Sequence, residues 1–402
     1  MHAAGSAALA ASPAGPIPDL IAAILDRARS GRAISEGDAN LLIDADDSAL
    51  AELMALACEL RTRHKGSTVT YSPKVFLPVT NLCRDFCSYC TFRKDPNDAG
   101  AWTMLPEEIR SWSHDGAARG CVEALMCLGD KPELVFKPYR QTLALLGHNT
   151  TIEYVRQACE IALEEGLLPH TNAGLMTPEE MENLKPVNAS MGLMLETISP
   201  RLRERGGPHY HAPDKDPALR MQMIHEAGEM QIPFTTGILV GIGETRAERV
   251  ASLVAIRDAH ERYGHIQEII IQNFRAKPTI PMATSPEPDT LEMARTIAVS
   301  RLLMPAMNIQ APPNLSPYDH RVLLNAGLND WGGISPLTRD YVNPEAPWPH
   351  VTVLADTCRG EGSTLQPRLP IYDEYVDRPG LVEAALLPRI RAHRVAMGVS
   401  PC

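Results

Sequence analysis

From Lys74 onward, short apolar runs alternate with longer amphipathic stretches, and no other feature limits the possible folds as strongly. Runs that are apolar on both faces need cover on both sides, which helices joining parallel strands supply. Eight runs fit: Val75 to Thr80, Val122 to Leu128, Leu168 to Asn172, Ala189 to Leu195, Phe234 to Val240, Glu268 to Gln272, Asn308 to Ala311, and Asn329 to Ile334. Helical spacing follows most of them, over Pro106 to Arg119, Ile152 to Glu165, Pro178 to Leu184, Asp216 to Met230, Arg246 to Tyr263, Thr290 to Met304, and Pro317 to Asn325. Eight strand-helix units predict an α/β fold, a (β/α)8 TIM-type barrel. Its functional residues then lie just beyond the carboxyl ends of the strands.

The remainder of the chain divides around that barrel. Met1 to Pro18, rich in Ala, Gly, Ser and Pro, reads as a disordered tail without the basic flank of a secretory signal. Helical spacing follows to Lys65, clearest where Leu50, Leu53, Met54, Ala57 and Leu60 recur. Residues 1–66 are thus expected to be tail and helical extension, and 67–402 barrel with a proline-rich C-terminal extension that returns to helix around Gly380 to Arg394. With 38 basic against 49 acidic residues, the net charge of -11 argues against a nucleic-acid partner or an anionic membrane surface. No run reaches the roughly 18 apolar residues of a membrane span. Nine scattered cysteines with one tight cluster suit a reducing cytoplasm and a metal site better than a disulfide framework.

That cluster is Cys83-Arg-Asp-Phe-Cys87-Ser-Tyr-Cys90, directly after the first run. A short loop with this spacing can wrap one corner of a cubane. Three thiolates leave one iron of a 4Fe-4S cluster open, whereas four would complete it. A zinc knuckle would need a fourth Cys or His nearby, and the next histidine is His114. Buried core cysteines are the plainer alternative, but three within eight residues of a charged loop disfavour it.

This loop, with aromatic Tyr89 before the last cysteine, resembles that of the radical S-adenosylmethionine (SAM) superfamily. The resemblance implies that Cys83, Cys87 and Cys90 hold a 4Fe-4S cluster, that SAM chelates the open iron, and that a 5'-deoxyadenosyl radical forms. An electron donor such as flavodoxin or ferredoxin is implied with it. Other strand-end residues then take expected roles. Asp130, in Gly129-Asp130, resembles the acid that helps hold the methionine amino group, or else marks an ordinary turn. Asn172 offers an amide to the methionine carboxylate or a ribose, unless it too belongs to a turn. Glu196 stands where similar enzymes carry a ribose-binding acid. Gly241 and Gly243 resemble the fifth-strand motif that approaches adenine; a dinucleotide-binding loop is disfavoured by their spacing.

The last third of the chain resembles one family within that superfamily. Gln272-Asn-Phe-Arg-Ala-Lys-Pro278, Gln310-Ala-Pro-Pro-Asn-Leu-Ser-Pro317, Asn329-Asp-Trp-Gly-Gly-Ile-Ser-Pro336 and Val342-Asn-Pro-Glu-Ala-Pro-Trp-Pro349 are similar to the FO synthase family, in its cyclase subunit. The implied activity is a lyase-type cyclisation. A hydroxybenzyl-ribityl-uracil adduct, made by a separate tyrosine-adding radical SAM enzyme, would close to a deazaflavin with loss of ammonia. Such a small-molecule substrate needs convergent polar groups, and Gln272, Asn273, Asn314 and Asp330 are candidates. Arg275 could meet a developing negative charge and Trp331 an aromatic ring; taken singly, each reads better as a rim hydrogen bond or a packing residue, and only as a group at strand ends do they favour a site. Arg275 and Asp330 are the expected catalytic pair. The alternatives are the tyrosine-adding partner itself and a non-catalytic iron-sulfur protein.

Overall fold

A computed structural model describes residues 16–398 of the chain. Most of the tail read as disordered lies outside the described residues, but Pro16 to Pro18 open the first helix, Pro16–Arg29. Helices Glu36–Ile43 and Asp47–Lys65 complete an N-terminal layer. Eight strands follow, β1 (Thr68–Pro78), β2 (Glu123–Cys127), β3 (Leu168–Asn172), β4 (Ser190–Gly192), β5 (Phe234–Val240), β6 (Ile266–Asn273), β7 (Asn308–Gln310) and β8 (Asp330–Ile334). All neighbours pair in parallel, and β1 joins both β2 and β8, so the sheet closes into a barrel. Helices on the outside give the TIM-type α/β architecture expected from the alternation. Among the described residues, no helix is long and apolar enough to cross a membrane.

Local sequence explains the helix starts. Thr150, Thr177 and Thr245 each form a capping box with a glutamate three residues on, at Glu153, Glu180 and Glu248. Helix Thr290–Leu303 is buried at every position from Met293 to Leu303, because helix Asp47–Lys65 packs on it from outside. Its Arg301 is fully buried, yet donates to the carbonyls of Gly327, Pro305 and Met307 and to Asn329 Oδ1 at 2.5–3.0 Å. A buried charge so satisfied ties this helix to the loop before β8.

Several elements depart from the sequence reading. β1 starts at Thr68 rather than Val75, because its first half serves other partners. Thr68 to Tyr71 pair with a ninth strand, β9 (Thr364–Pro367), and Thr70 to Pro73 with β8. β9 has no fully buried position, so it carries no apolar run to read. β4 is shorter than Ala189 to Leu195, and the helix expected from Pro317 begins at His320. Helices Lys137–Leu145 and Val351–Gly360 were not expected. Each buries one i,i+4 pair, Tyr139 with Leu143 and Leu354 with Cys358, which is too little periodicity to detect.

The segment after β9 seals the amino end of the barrel. Ser190 Oγ and Gln267 Nε2 donate to Pro370 O at 2.6 and 3.0 Å, while Arg368 reaches Glu268 at 2.7 Å and Asp330 at 2.6 Å.

Candidate active site

The three cysteines gather at the carboxyl end of the barrel because the loop after β1 is pinned along its length. Leu82 bridges to Lys94 and Phe86 to His211, Ser88 N donates to Pro208 O, and Cys90 N turns back on Cys87 O at 3.1 Å. Asp130 N donates to Cys83 Sγ at 3.1 Å. Gly129 permits that approach: a Cβ there would lie 2.0 Å from Leu82 O and 2.6 Å from Cys83 Cβ. Cys83, Cys87 and Cys90 line one cavity of about 290 Å³ together with Tyr89, Asp130, Asn172, Glu196 and Arg275. Burial, with Asp85 next, pushes the Cys83 thiol up to about 12; burial likewise raises Cys87 well above the ordinary thiol range. Metal binding at such thiols displaces protons.

The donor set fits a cluster better than a single ion. Two thiolates on one zinc at ~2.3 Å can stand no more than about 4.6 Å apart. Among the described residues, only Asp85, Asp130 and Asp214 bring three such ligating atoms within 4.8 Å of one another; the three sulfurs are spread more widely. The cavity also offers an unpartnered acceptor and unpartnered donors. Asp130 Oδ2 accepts from Leu175 N at 3.1 Å, but Oδ1 is buried without a partner. Burial, then Asp214 and Asp85, push the Asp130 carboxyl upward. Gly174, at φ +74°, keeps this carboxylate in place, since a Cβ would fall 2.2 Å from Oδ2. Arg220, 4% exposed, faces Glu196 Oε1 at 3.9 Å through Nη2, while its Nε and Nη1 have no hydrogen-bond partner. An α-amino acid carries a donor for the one and an acceptor for the other.

Glu196 is the best-held group in the cavity. Its backbone is left-handed at φ +64°, and its carboxylate takes Lys215 Nζ on Oε1 and Tyr89 OH on Oε2, with His209 Nε2 at 3.1 Å. Burial opposes ionisation, yet Lys215, His209 and Arg220 hold the carboxyl well below the usual range. The ribose-binding acid of the sequence reading is therefore a carboxylate that the protein already engages on both oxygens. Asn172 faces the cavity and makes no side-chain hydrogen bond among the described residues. Arg275 stands at the rim, 40% exposed and paired with Glu287 at 3.1 Å.

Of the other expected residues, Asn273 lines the thiol cavity and five sit elsewhere. Gly241 and Gly243 have φ of +96° and +106° but do not line the cavity; a Cβ on Gly241 would meet Pro288 Cδ at 2.6 Å, and Glu244 takes the N–H groups of Gly241 and Ile242. Asp330 is the first residue of β8, at the amino end of the barrel and not its mouth. It is fully buried and spent on Arg368, Thr70 Oγ1 and Gly332 N. Trp331 packs on the helix side of β8, its ring 5.2 Å from that of His320. Asn314 is bound to Asp340 and Ala346, and Asn273 Nδ2 to Leu315 O.

Below the thiol cavity lies a second one of about 230 Å³ inside the barrel, sharing Leu125, Cys127, Asn172, Gln272 and the segment 341–343 with the first. Branched apolar layers usually fill a barrel at this depth. Here Lys74 pairs with Glu123 at 2.7 Å, and His170, Glu268, Gln310 and Arg368 stand around them. His209 and Lys215 belong to the long connection after β4 and Arg220 to the first turn of the helix that follows it, and none of the three was read as a site residue from the sequence. One signal was present: helix Pro217–Glu229 has no acid in its first turn and places Arg220 there, against the usual dipole preference.

The radical SAM superfamily profile matches residues 77–256. The FO synthase of Streptomyces coelicolor is 46% identical over 399 residues, covering 96% of this chain and 46% of that protein. The FO synthase of Mycobacterium tuberculosis (strain H37Rv) is 46% identical over 392 residues, with 93% and 45% covered. The chain spans about half the length of these relatives. The 7,8-didemethyl-8-hydroxy-5-deazariboflavin synthase of Methanopyrus kandleri is 48% identical over 311 residues, 77% of this chain and 93% of that one. Among solved structures, the FeFe-hydrogenase maturase HydG from Carboxydothermus hydrogenoformans superposes with a TM-score of 0.70 at 16% identity, covering 94% of this chain and 90% of that one. Methylornithine synthase (PylB) does so at 0.66 and 19%, covering 86% and 97%. At those identities the two share the fold alone. A thiol loop after β1, a cavity with an unpartnered acceptor on Asp130 and unpartnered donors on Arg220, and these relatives together place the chain in the radical SAM superfamily and, within it, in the 7,8-didemethyl-8-hydroxy-5-deazariboflavin synthase family.

Proposed function

We propose that this radical SAM enzyme converts 5-amino-5-(4-hydroxybenzyl)-6-(D-ribitylimino)-5,6-dihydrouracil to 7,8-didemethyl-8-hydroxy-5-deazariboflavin with release of ammonia, acting as a carbon-nitrogen lyase. The observation that carries this reading is the match through 93% of the Methanopyrus synthase, a relative named for that product. The cofactors of the family are a 4Fe-4S cluster and SAM. When bound, they supply a radical that abstracts hydrogen from the substrate.

The chain's own residues would do the rest. Cys83, Cys87 and Cys90 offer the thiolates. Asp130 Oδ1 is the acceptor for the methionine ammonium, and Arg220 the donor for its carboxylate. Glu196 fixes Lys215, His209 and Tyr89 beneath them; four of its carboxylate lone pairs exist and three are taken, which leaves one on Oε1 for a ribose hydroxyl. Asn172 and Gln272, shared by the two cavities, stand where cofactor and substrate would meet. Arg275 at the rim would face charge developing on the phenol or uracil. A separate tyrosine-adding enzyme would make the adduct, and an external flavodoxin or ferredoxin would supply the electron.

The test is anaerobic. Given SAM, reductant and the adduct, the reconstituted enzyme should release ammonia, deoxyadenosine and a fluorescent deazaflavin. Given only tyrosine and 5-amino-6-ribitylaminouracil, it should make none. Consumption of tyrosine by this chain alone would move it to the tyrosine-adding class.

A further inference from the structure

The second cavity has features that a self-contained ion network would not need. Lys74 and Gln310 enter it over two adjacent glycines of β8. A Cβ on Gly333 would fall 2.3 Å from Lys74 Cε, and one on Gly332, at φ +68°, 2.0 Å from Gln310 Nε2. The Trp331-Gly332-Gly333 stretch is therefore strand whose missing side chains make room for two donors. Gln310 is 8% exposed and its amide makes no side-chain hydrogen bond among the described residues. Lys74 has Glu123 as its single carboxylate, and Glu268, opposite, takes Arg368 and Tyr372 OH on Oε1 and Thr235 Oγ1 on Oε2. Donors and acceptors thus alternate around one small space. Hydroxyl groups, each a donor and an acceptor, match that alternation.

Depth orders the substrate within it. Glu123 opens β2 and Cys127 closes it, four residues or about 13 Å nearer the thiols. The group that reacts must lie at the thiol end, so the part left unchanged lies at the floor. Resting on the reaction proposed above, in which the ribityl chain alone is unaltered, we propose that the floor formed by Lys74, Glu123, Glu268, Gln310 and Arg368 is a subsite for that polyol. Its binding energy, remote from the reacting atoms, holds the uracil and arene beside the cofactor cavity.

The test pairs a side-chain change with a substrate change. Binding to the anaerobic holoenzyme is measured for the ribityl adduct and for the same adduct with N-methyl in place of ribityl, in wild type, Gln310→Met and Glu268→Gln. Wild type should favour the ribityl compound at least tenfold. Gln310→Met should lower that preference about five- to tenfold, the loss expected for one hydrogen bond, with iron and sulfide content retained. Glu268→Gln should lower it further. A preference that is absent in wild type, or unchanged in both variants, overturns the subsite. Because the readout is binding, it answers even where no deazaflavin forms; absence of that product from a bound ribityl adduct would count against the reaction and not against the polyol site. Should Glu268→Gln fail to fold, Gln310→Met decides alone.

Discussion

Arg220→Met separates a structural arginine from a ligand-binding one. The guanidinium is 4% exposed, its nearest carboxylate oxygen is Glu196 Oε1 at 3.9 Å, and Nε and Nη1 are unpaired. Leaving buried donors unmade costs about 1–3 kcal/mol, more where the group is charged. Methionine keeps the stem's volume and removes that cost, while Glu196 keeps Lys215, Tyr89 and His209. The cofactor-free variant should therefore melt no lower than wild type, and by the argument several degrees higher. SAM affinity should move the other way. A charge-assisted hydrogen bond contributes ~1.5–3 kcal/mol, so its loss weakens SAM binding roughly 10- to 150-fold. Differential scanning fluorimetry of the apoprotein and equilibrium dialysis of SAM with the reconstituted protein read the two halves. A lower melting temperature with unchanged SAM affinity would show that Arg220 is a structural ion and that the partner of its Nε and Nη1 is not a methionine carboxylate.

Other outcomes follow from neighbouring geometry. Each of Cys83→Ala, Cys87→Ala and Cys90→Ala should lose the full 4Fe-4S content and SAM cleavage, whereas Cys121→Ala and Cys159→Ala, on buried sites away from the cavity, should keep both by iron and sulfide assay. Two glycines should fail differently: Gly129→Ala, with a Cβ 2.0 Å from Leu82 O, should lose iron, while Gly174→Ala, crowding Asp130 Oδ2, should keep iron and weaken SAM binding in dialysis. Lys74→Met should destabilise the protein by about 3 kcal/mol, since one partner of a buried pair is left, with Glu123 only 1% exposed. Burial opposes ionisation of Glu123, but Lys74 and then His170 hold its pKa below the ordinary carboxylate value. In wild type that contribution is present above about pH 4.3 and lost as the pH falls through the lower folded value. In the variant the carboxyl is raised instead, so the deficit in melting temperature should grow from pH 5 to pH 8; a deficit independent of pH would refute the pairing.

What the sequence disclosed follows from distance along the chain. Cys83, Cys87, Cys90 and Tyr89 lie within eight residues, so their spacing alone defines a shared site, and Asp130 is found by standing directly beyond β2. His209 and Lys215 reach the same cavity from the connection after β4, whose short turns at Pro200–Arg203 and Pro213–Lys215 present no periodicity to count, while Arg220 lies on a helix that was legible but whose spacing does not show which polar residue turns into the barrel. Asp330 shows the opposite failure. Its strand was identified correctly, but a residue at the start of a parallel strand faces the floor and one at its end faces the mouth, and that polarity is lost when the strand's extent is uncertain by a few residues. The Gly332-Gly333 pair resembles a turn in sequence because the partners that require it, Lys74 and Gln310, are brought there only by closure of the barrel.

A charged floor also changes where this fold's stability resides. Buried ion pairs such as Lys74–Glu123 and Arg368–Glu268 add little net stability, since desolvation offsets much of their attraction. Apolar burial must then be concentrated outside the strands, where one continuous core runs from Ile24 and Leu53 of the N-terminal helices through Ile297 and Val299 to the outward faces of the strands. Helix Thr290–Leu303 is apolar on both faces for this reason: one covers β6 and β7, the other is covered by helix Asp47–Lys65. Arg295 fixes that outer layer, donating to Ala45 O at 2.5 Å and to Asp47 at 3.2 Å. The N-terminal helices thus compensate for an interior given over to polar groups, and the same division that weakens the centre of the barrel leaves it free to bind a polar ligand.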